Sequence, residues 1–242
     1  MSDNNSFLEI VLNSFKEFVK TGTSRSPAKL KPLHGAVASD IEKTMGEQYR
    51  VYAQGYLETQ ERKIEGRYID KRVDITIEDT KLDKIVGGVS VKFVMQNYSQ
   101  NSNNYFENML GETANIRAAH CPYFQIFIIL DEIPYYSQSG SLSRWETFTA
   151  HNILKYCRLS QDNIDAFCHT PNKTLIYVVH VDPKPLNALN REQYLDFYKR
   201  NIDSITIKDS AYKYEDFANG GTVILNDYSL FLEKVFYTIK AQ

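Results

Sequence analysis

Nowhere in the 242 residues does an apolar run approach the roughly 18 or more residues that a membrane-spanning helix needs. The opening stretch, MSDNNSFLEIVL, has neither a basic leading region nor a small-residue cleavage site. A cytoplasmic protein with no membrane partner is therefore expected. Cysteine is also scarce: Cys121, Cys157 and Cys168 are odd in number, far apart and in no CxxC pair. That argues against a disulfide framework or a zinc cluster and leaves buried free thiols as the expectation. The chain has no GxxxxGK[ST], no GxGxxG after a strand and no GxSxG, so the common nucleotide-binding and serine-hydrolase chemistries lack their motifs. Neither a solenoid repeat nor a Pro/Ser/Gly linker interrupts it. A strong charge of either sign is missing too. The net charge of −2 argues against a protein that coats nucleic acid by bulk electrostatics, though not against a local basic cleft. The acid-free stretch TSRSPAKLKP, with Arg25, Lys29 and Lys31, would line such a cleft or form a solvated loop.

What the chain does contain is apolar and aromatic. Its 43% hydrophobic content, with 17 Tyr and 13 Phe, excludes wholesale disorder and is enough for a sizeable core. Residues 1–242 read as one α/β domain. Helical spacing of Phe7, Ile10, Val11, Phe15 and Phe18 predicts a helix over residues 6–20, and Val37, Ala38, Ile41 and Met45 predict another over 34–46. Strands are expected at 49–57, 72–77 and 86–95, a helix at 103–119 and a strand at 124–130. Beyond these, residues 133–144 read as a loop, 145–159 as a helix, 175–181 as a strand, 191–199 as a helix, 202–207 as a strand and 228–239 as a closing helix.

The second and third strands form a hairpin around the polar turn EDTKLDK, and each carries a charge. Side chains alternate faces, so Arg72, Asp74 and Thr76 share one face of the first strand, and Ser90, Lys92 and Val94 one face of the second. A turn centred near residues 79–84 sets Asp74 roughly across from Ser90, with Lys92 one diagonal step away, about 7 to 8 Å. Burying an unpaired charge is costly, so the two need each other, other partners or an ion. An ion pair at a sheet edge is the competing account.

The following helix supplies context. Projected at about 100° per residue, Glu107 falls with Leu110, Gly111, Ala114 and Ala118 on a small, apolar face, and Glu112 on a mostly polar one. Glu107 is thus expected to turn inward and Glu112 to be solvated. Two inward carboxylates and a lysine suit a hard divalent cation and metal-assisted phosphodiester hydrolysis.

The order helix, three strands, helix, strand, with VDI in the second strand and SVK in the third, resembles the PD-(D/E)XK nuclease core. More narrowly, GRYIDKRVDITI, VSVKFVMQNYSQNSNNYFENMLGETANI and PYFQIFII look like the type II restriction endonuclease-like group. The resemblance covers residues 30–135 well and the remainder poorly. It implies a restriction-endonuclease-like αβββαβ core, about residues 33–132, with a mixed sheet flanked by helices, and a part at 133–242 for recognition and dimerisation. It also implies a Mg²⁺-dependent endonuclease, with Mn²⁺ as a substitute, that cuts double-stranded DNA at a specific site as a homodimer and leaves a 5′-phosphate and a 3′-hydroxyl. A cognate methyltransferase would belong to the same system. On the family pattern Asp74 binds metal and Lys92 is the catalytic lysine. The departure is Ser90, where an acid is usual. Some members with S-x-K take the acid from the following helix, the role that falls to Glu107. Glu42, on the first core helix, would be a further metal ligand. A degenerate nuclease fold that only binds DNA or a partner, and a repair or junction nuclease, are the rival readings.

Seven amides lie between Gln96 and Asn108. Helix capping and turn formation explain part of them, and Asn97, Gln100, Asn101, Asn103 and Asn104 are candidates for DNA contact beside the cut. Glu65 and Asp70 balance neighbouring cations or supply an alternative ligand. His34 reads as a helix cap or surface residue, with action near a scissile phosphate as the alternative, and Cys157 or Cys168 as a nucleophile has no supporting signature.

Overall fold

The computed structural model describes residues 3–22, 29–211 and 221–242, so Arg25 lies outside the described residues. Helix α1 (Asn4–Thr21) begins where the Asp3 carboxylate accepts from Ser6 N–H at 2.8 Å and ends at Gly22, whose φ of 66° makes the left-handed stop. Helix α2 (Lys31–Met45) starts with Pro32 in its first turn and stops at Gly46. Both lie within a turn of the sequence expectation.

The strands are β1 (Tyr49–Ala53), β2 (Lys63–Ile64), β3 (Lys71–Arg72), β4 (Ile75–Asp79) and β5 (Lys84–Val94). Helix α3 (Tyr98–Arg117) is followed by β6 (Tyr123–Leu130), β7 (Glu132–Tyr136), β8 (Leu142–Thr147) and α4 (Ala150–Ser160). Then come β9 (Lys173–Asp182), α5 (Arg191–Arg200), β10 (Thr206–Asp209), β11 (Val223–Leu225) and α6 (Tyr228–Lys240). Several boundaries differ from the sequence reading. The expected strand 49–57 stops at Ala53 because Gly55 and Leu57 take positive φ. The expected loop 133–144 is the hairpin β7–β8, and the helix expected from 145 begins only at Ala150. The strand expected at 202–207 begins at Thr206, after a turn.

The fold is α/β, with a mixed, curled seven-stranded sheet in the order β1-β4-β5-β6-β9-β10, and β11 also paired with β9. Strands β5, β6 and β9 are parallel, while β1, β4 and β10 run antiparallel to their neighbours. Phe124 and Phe127 have opposite parity on β6 and so face opposite sides. Phe124 meets Phe231 of α6, while Phe127 meets Tyr98 of α3 and Tyr156 of α4. Helices thus cover both faces, and one apolar core takes in residues from Phe7 to Ile239. All eight residues of β6 are buried, as expected of a central parallel strand. No helix among the described residues is long and apolar enough to cross a membrane.

Cys157 is buried, but Cys121 is only partly so and Cys168 is exposed, which corrects the expectation of three buried thiols. Burial pushes the Cys121 thiol up to about 12. Lys31 is exposed, whereas Lys29 is buried, and its burial, followed by the charges of Lys92 and Arg191, brings its ammonium down to about 8.

Candidate metal centre

The β4–β5 register pairs Ile75 with Val89 and Thr76 with Gly88, which brings Asp74, at the entry to β4, opposite Ser90. The turn, where the Asp79 carboxylate accepts from Lys81 N–H and Leu82 N–H, pairs Asp79 with Lys84, and an irregularity between Ile77 and Glu78 then shifts the register by one residue, so that position 74 meets Ser90 rather than Val89. Ser90 Oγ donates to Asp74 Oδ2 at 3.0 Å, and Val91 N–H donates to the same oxygen at 2.7 Å. One carboxylate oxygen is thereby fixed to β5, and among the described residues Oδ1 accepts no hydrogen bond. Lys92 lies two residues beyond Ser90 on the same face, exposed, with Nζ 4.7 Å from the centroid of the Tyr105 ring.

Two further residues close on Asp74. One ligand atom each from His34, Glu61 and Asp74 lie within 4.8 Å of one another. His34 arrives from the first turn of α2 and is 5% exposed, and its Nε2 has no hydrogen-bond partner. Gly35 makes this approach possible: a Cβ there would stand 2.1 Å from the carbonyl oxygen of Gly55, so any side chain would push the loop leading to Glu61 away from the helix. Burial pulls the His34 imidazole below its usual range despite the opposing pull of Asp74, so the ring is neutral and keeps a lone pair. Burial and then the Asp74 charge push the Glu61 carboxyl up, against Arg72. Two crowded carboxylates and a neutral imidazole with an unpartnered nitrogen form a donor set for a divalent cation.

No family model, curated protein or solved structure matches the chain.

Glu107 does not join it. The residue is exposed and its charge acts on Lys155. Glu112 instead turns toward the sheet, where it accepts from the Tyr123 hydroxyl at 2.8 Å and stands 3.7 Å from Lys71. The expected assignment of the two faces of α3 is thus reversed. Met109 and Ile116 are the buried apolar residues that set the helix rotation here, and the polar Thr113 and Asn115 are buried with them. Burial raises the Glu112 carboxyl, Tyr123 and Lys71 oppose the rise, and Asp74 adds to it. Glu112 and Lys92 border one cavity of about 110 Å³ together with Ser90, Tyr105 and Gln125. We expect Glu112→Gln to weaken Mn²⁺ affinity about 10- to 100-fold and Glu107→Gln to leave it unchanged. Calorimetric Mn²⁺ titrations of the two proteins check this, and equal affinity would remove Glu112 from the site.

The remaining candidates divide. Glu42 is taken up by structure, accepting from Val51 N–H at 2.9 Å and from the Tyr56 hydroxyl, and it is not in the group around Asp74. Glu65 and Asp70 are exposed and also outside that group. Asn97 uses both ends of its amide on the Tyr136 backbone, pinning β7 to the start of α3, so its side chain is not presented to a ligand. Asn101 is half-buried with its amide toward Asn97 O, while Gln100, Asn103 and Asn104 are exposed. His180 bridges Asp131 at 2.8 Å and Asp182 at 3.1 Å, tying the carboxyl ends of β6 and β9 together. Sequence reasoning missed Glu61 and passed over His34, because neither lies in a motif with ligand spacing.

Proposed function

We propose that the protein is a metal-dependent endodeoxyribonuclease with a restriction-endonuclease-like core, hydrolysing phosphodiester bonds of double-stranded DNA. The convergence of His34, Glu61 and Asp74 within 4.8 Å, at the strand pair that carries Lys92, is the observation that carries this reading. Asp74, Glu61 and His34 would hold the cation, with Glu112 as the nearest further acid. Mg²⁺ prefers oxygen ligands, and the imidazole makes the set better suited to Mn²⁺. Bound there, the cation would polarise the phosphate and lower the pKa of its water.

The rest belongs to the protein's own side chains. Ser90 and the Val91 amide hold Asp74 in one orientation, so that it meets the cation without rearrangement. The Lys92 ammonium, held over the Tyr105 ring, orients the attacking water and offsets charge building on the phosphate oxygens. Ser90 cannot supply the usual second acid, and Glu61 and Glu112 bring negative charge from other elements. Site-specific cutting by a homodimer, as in a restriction system, is the specific form of this proposal.

Purified protein incubated with supercoiled plasmid is expected to linearise it with Mn²⁺, more slowly with Mg²⁺, and not at all with EDTA. Discrete fragments from genomic DNA would support restriction. Uncut DNA at every metal concentration would refute the catalytic reading.

A further inference from the structure

The segment that leads into Asp74, RKIEGRYIDKR at residues 62–72, carries five cations against two acids. It forms the short hairpin β2–β3. Its base is buried: Ile64 and Val73 pack with Ile116 and Tyr123 in a small core of their own. Its tip is clamped by α3. Asn115 Oδ1 accepts from Tyr68 N–H at 2.9 Å and Ile69 N–H at 3.3 Å, Nδ2 donates to Ile69 O at 2.8 Å, and Asn115 O accepts from Arg67 N–H at 2.8 Å. Gly66 lets the tip approach so closely, since a Cβ there would stand 2.1 Å from Asn115 Nδ2. Yet the side chains so carefully positioned point away from the protein: Tyr68 is 82% and Ile69 66% exposed.

Four backbone bonds to one buried asparagine hold an aromatic and a branched apolar side chain out in water. No packing among the described residues explains that arrangement. The surrounding charge is equally unfavourable for the free protein. Lys63 lies directly across the hairpin from Arg72, a like-charge pair that destabilises two paired strands. Arg62 and Lys71 are engaged by Glu78 and Glu112, whereas Lys63, Arg67 and Arg72 are exposed and make no ion pair among the described residues. A rigid apolar point beside three exposed cations without ion pairs, against the two exposed acids Glu65 and Asp70, is complementary to a polyanion that offers apolar faces between its charges. Duplex DNA fits: its phosphates answer the cations, and its base steps accept an apolar wedge from the minor groove. The hairpin returns to the chain at Arg72, two residues before Asp74, so DNA held by it lies against the metal centre.

We propose that residues 62–72 form a wedge that enters the minor groove of duplex DNA, Tyr68 and Ile69 parting a base step while Lys63, Arg67 and Arg72 hold the flanking phosphates. The inference rests on the nuclease reading above and adds how that site receives its substrate.

The test uses random-sequence 30-base-pair duplexes carrying 2-aminopurine, with Ca²⁺ present to limit cutting. The parent protein is expected to bind and to raise 2-aminopurine fluorescence as bases unstack. Replacing the tip (Tyr68→Ala with Ile69→Ala) is expected to weaken binding about tenfold and to abolish the fluorescence rise, with the salt dependence unchanged. Replacing Lys63, Arg67 and Arg72 by Ala is expected to reduce the slope of log K against log salt by about 2.7. Normal binding and fluorescence in the tip variant would overturn the wedge while leaving the nuclease reading intact. No binding by the parent protein would overturn both. Loss of binding to phosphatidylserine vesicles, with DNA binding unaltered, would identify the loop as a membrane contact and also overturn the proposal.

Discussion

Asp74→Asn is expected to lower Mn²⁺-dependent DNA cleavage by about three orders of magnitude or more while leaving the protein folded. The asparagine side chain can keep both hydrogen bonds that hold position 74, because its oxygen still accepts from Ser90 Oγ and Val91 N–H. What it removes is the negative charge that completes the cluster with Glu61 and His34. Calorimetry should therefore show Mn²⁺ affinity falling with activity. Lys92→Ala makes the complementary case. Lys92 is not among the candidate ligands, so its loss should leave Mn²⁺ affinity unchanged and slow turnover about 10²- to 10³-fold, the usual cost of losing one group that stabilises developing charge. If both proteins cut as fast as the parent, the site lies elsewhere.

The second large effect concerns stability. Phe7→Ala is expected to cost about 3 to 5 kcal/mol, read as a shift in urea unfolding midpoint at constant slope. Phe7 is fully buried, stacks on Tyr228 with ring centroids 4.0 Å apart, and meets the edge of Tyr177 at 4.9 Å. Truncation would open a cavity between two rings, Tyr177 of β9 and Tyr228 of α6, each fixed by its own element. Leu186→Ala, at a side chain 75% exposed, is the control and should stay within about 0.5 kcal/mol. A loss below 1 kcal/mol for Phe7→Ala would mean that α1 contributes little to the core.

The sequence made some of this legible and hid the rest for identifiable reasons. Strand period and turn position place Asp74 opposite Ser90 only to within one residue, and the register shift between Ile77 and Glu78, which no pattern records, supplies the last step. Helix rotation is harder to read. Along α3 the apolar stripe is weak, and the rotation depends on contacts with Tyr123 and the β2–β3 hairpin that no local spacing records. Glu107 and Glu112 were exchanged for that reason. The β7–β8 hairpin was hidden because Pro134 and the single Trp145 interrupt alternation. His34 and Glu61 come together only through the close passage of Gly35 and Gly55, a backbone contact without a sequence signature.

The partnership of the first and last helices also has a kinetic meaning. At a synthesis rate of about 5 to 20 residues per second, Phe7 is made about 10 to 45 seconds before Tyr228. Its other ring neighbour, Tyr177, and the Tyr198 that Phe15 meets also come from the second half of the chain. During that interval α1 carries an apolar stripe whose aromatic partners have not been made. That face of α1 can be covered as in the folded chain only after Tyr177, Tyr198 and Tyr228 have been made.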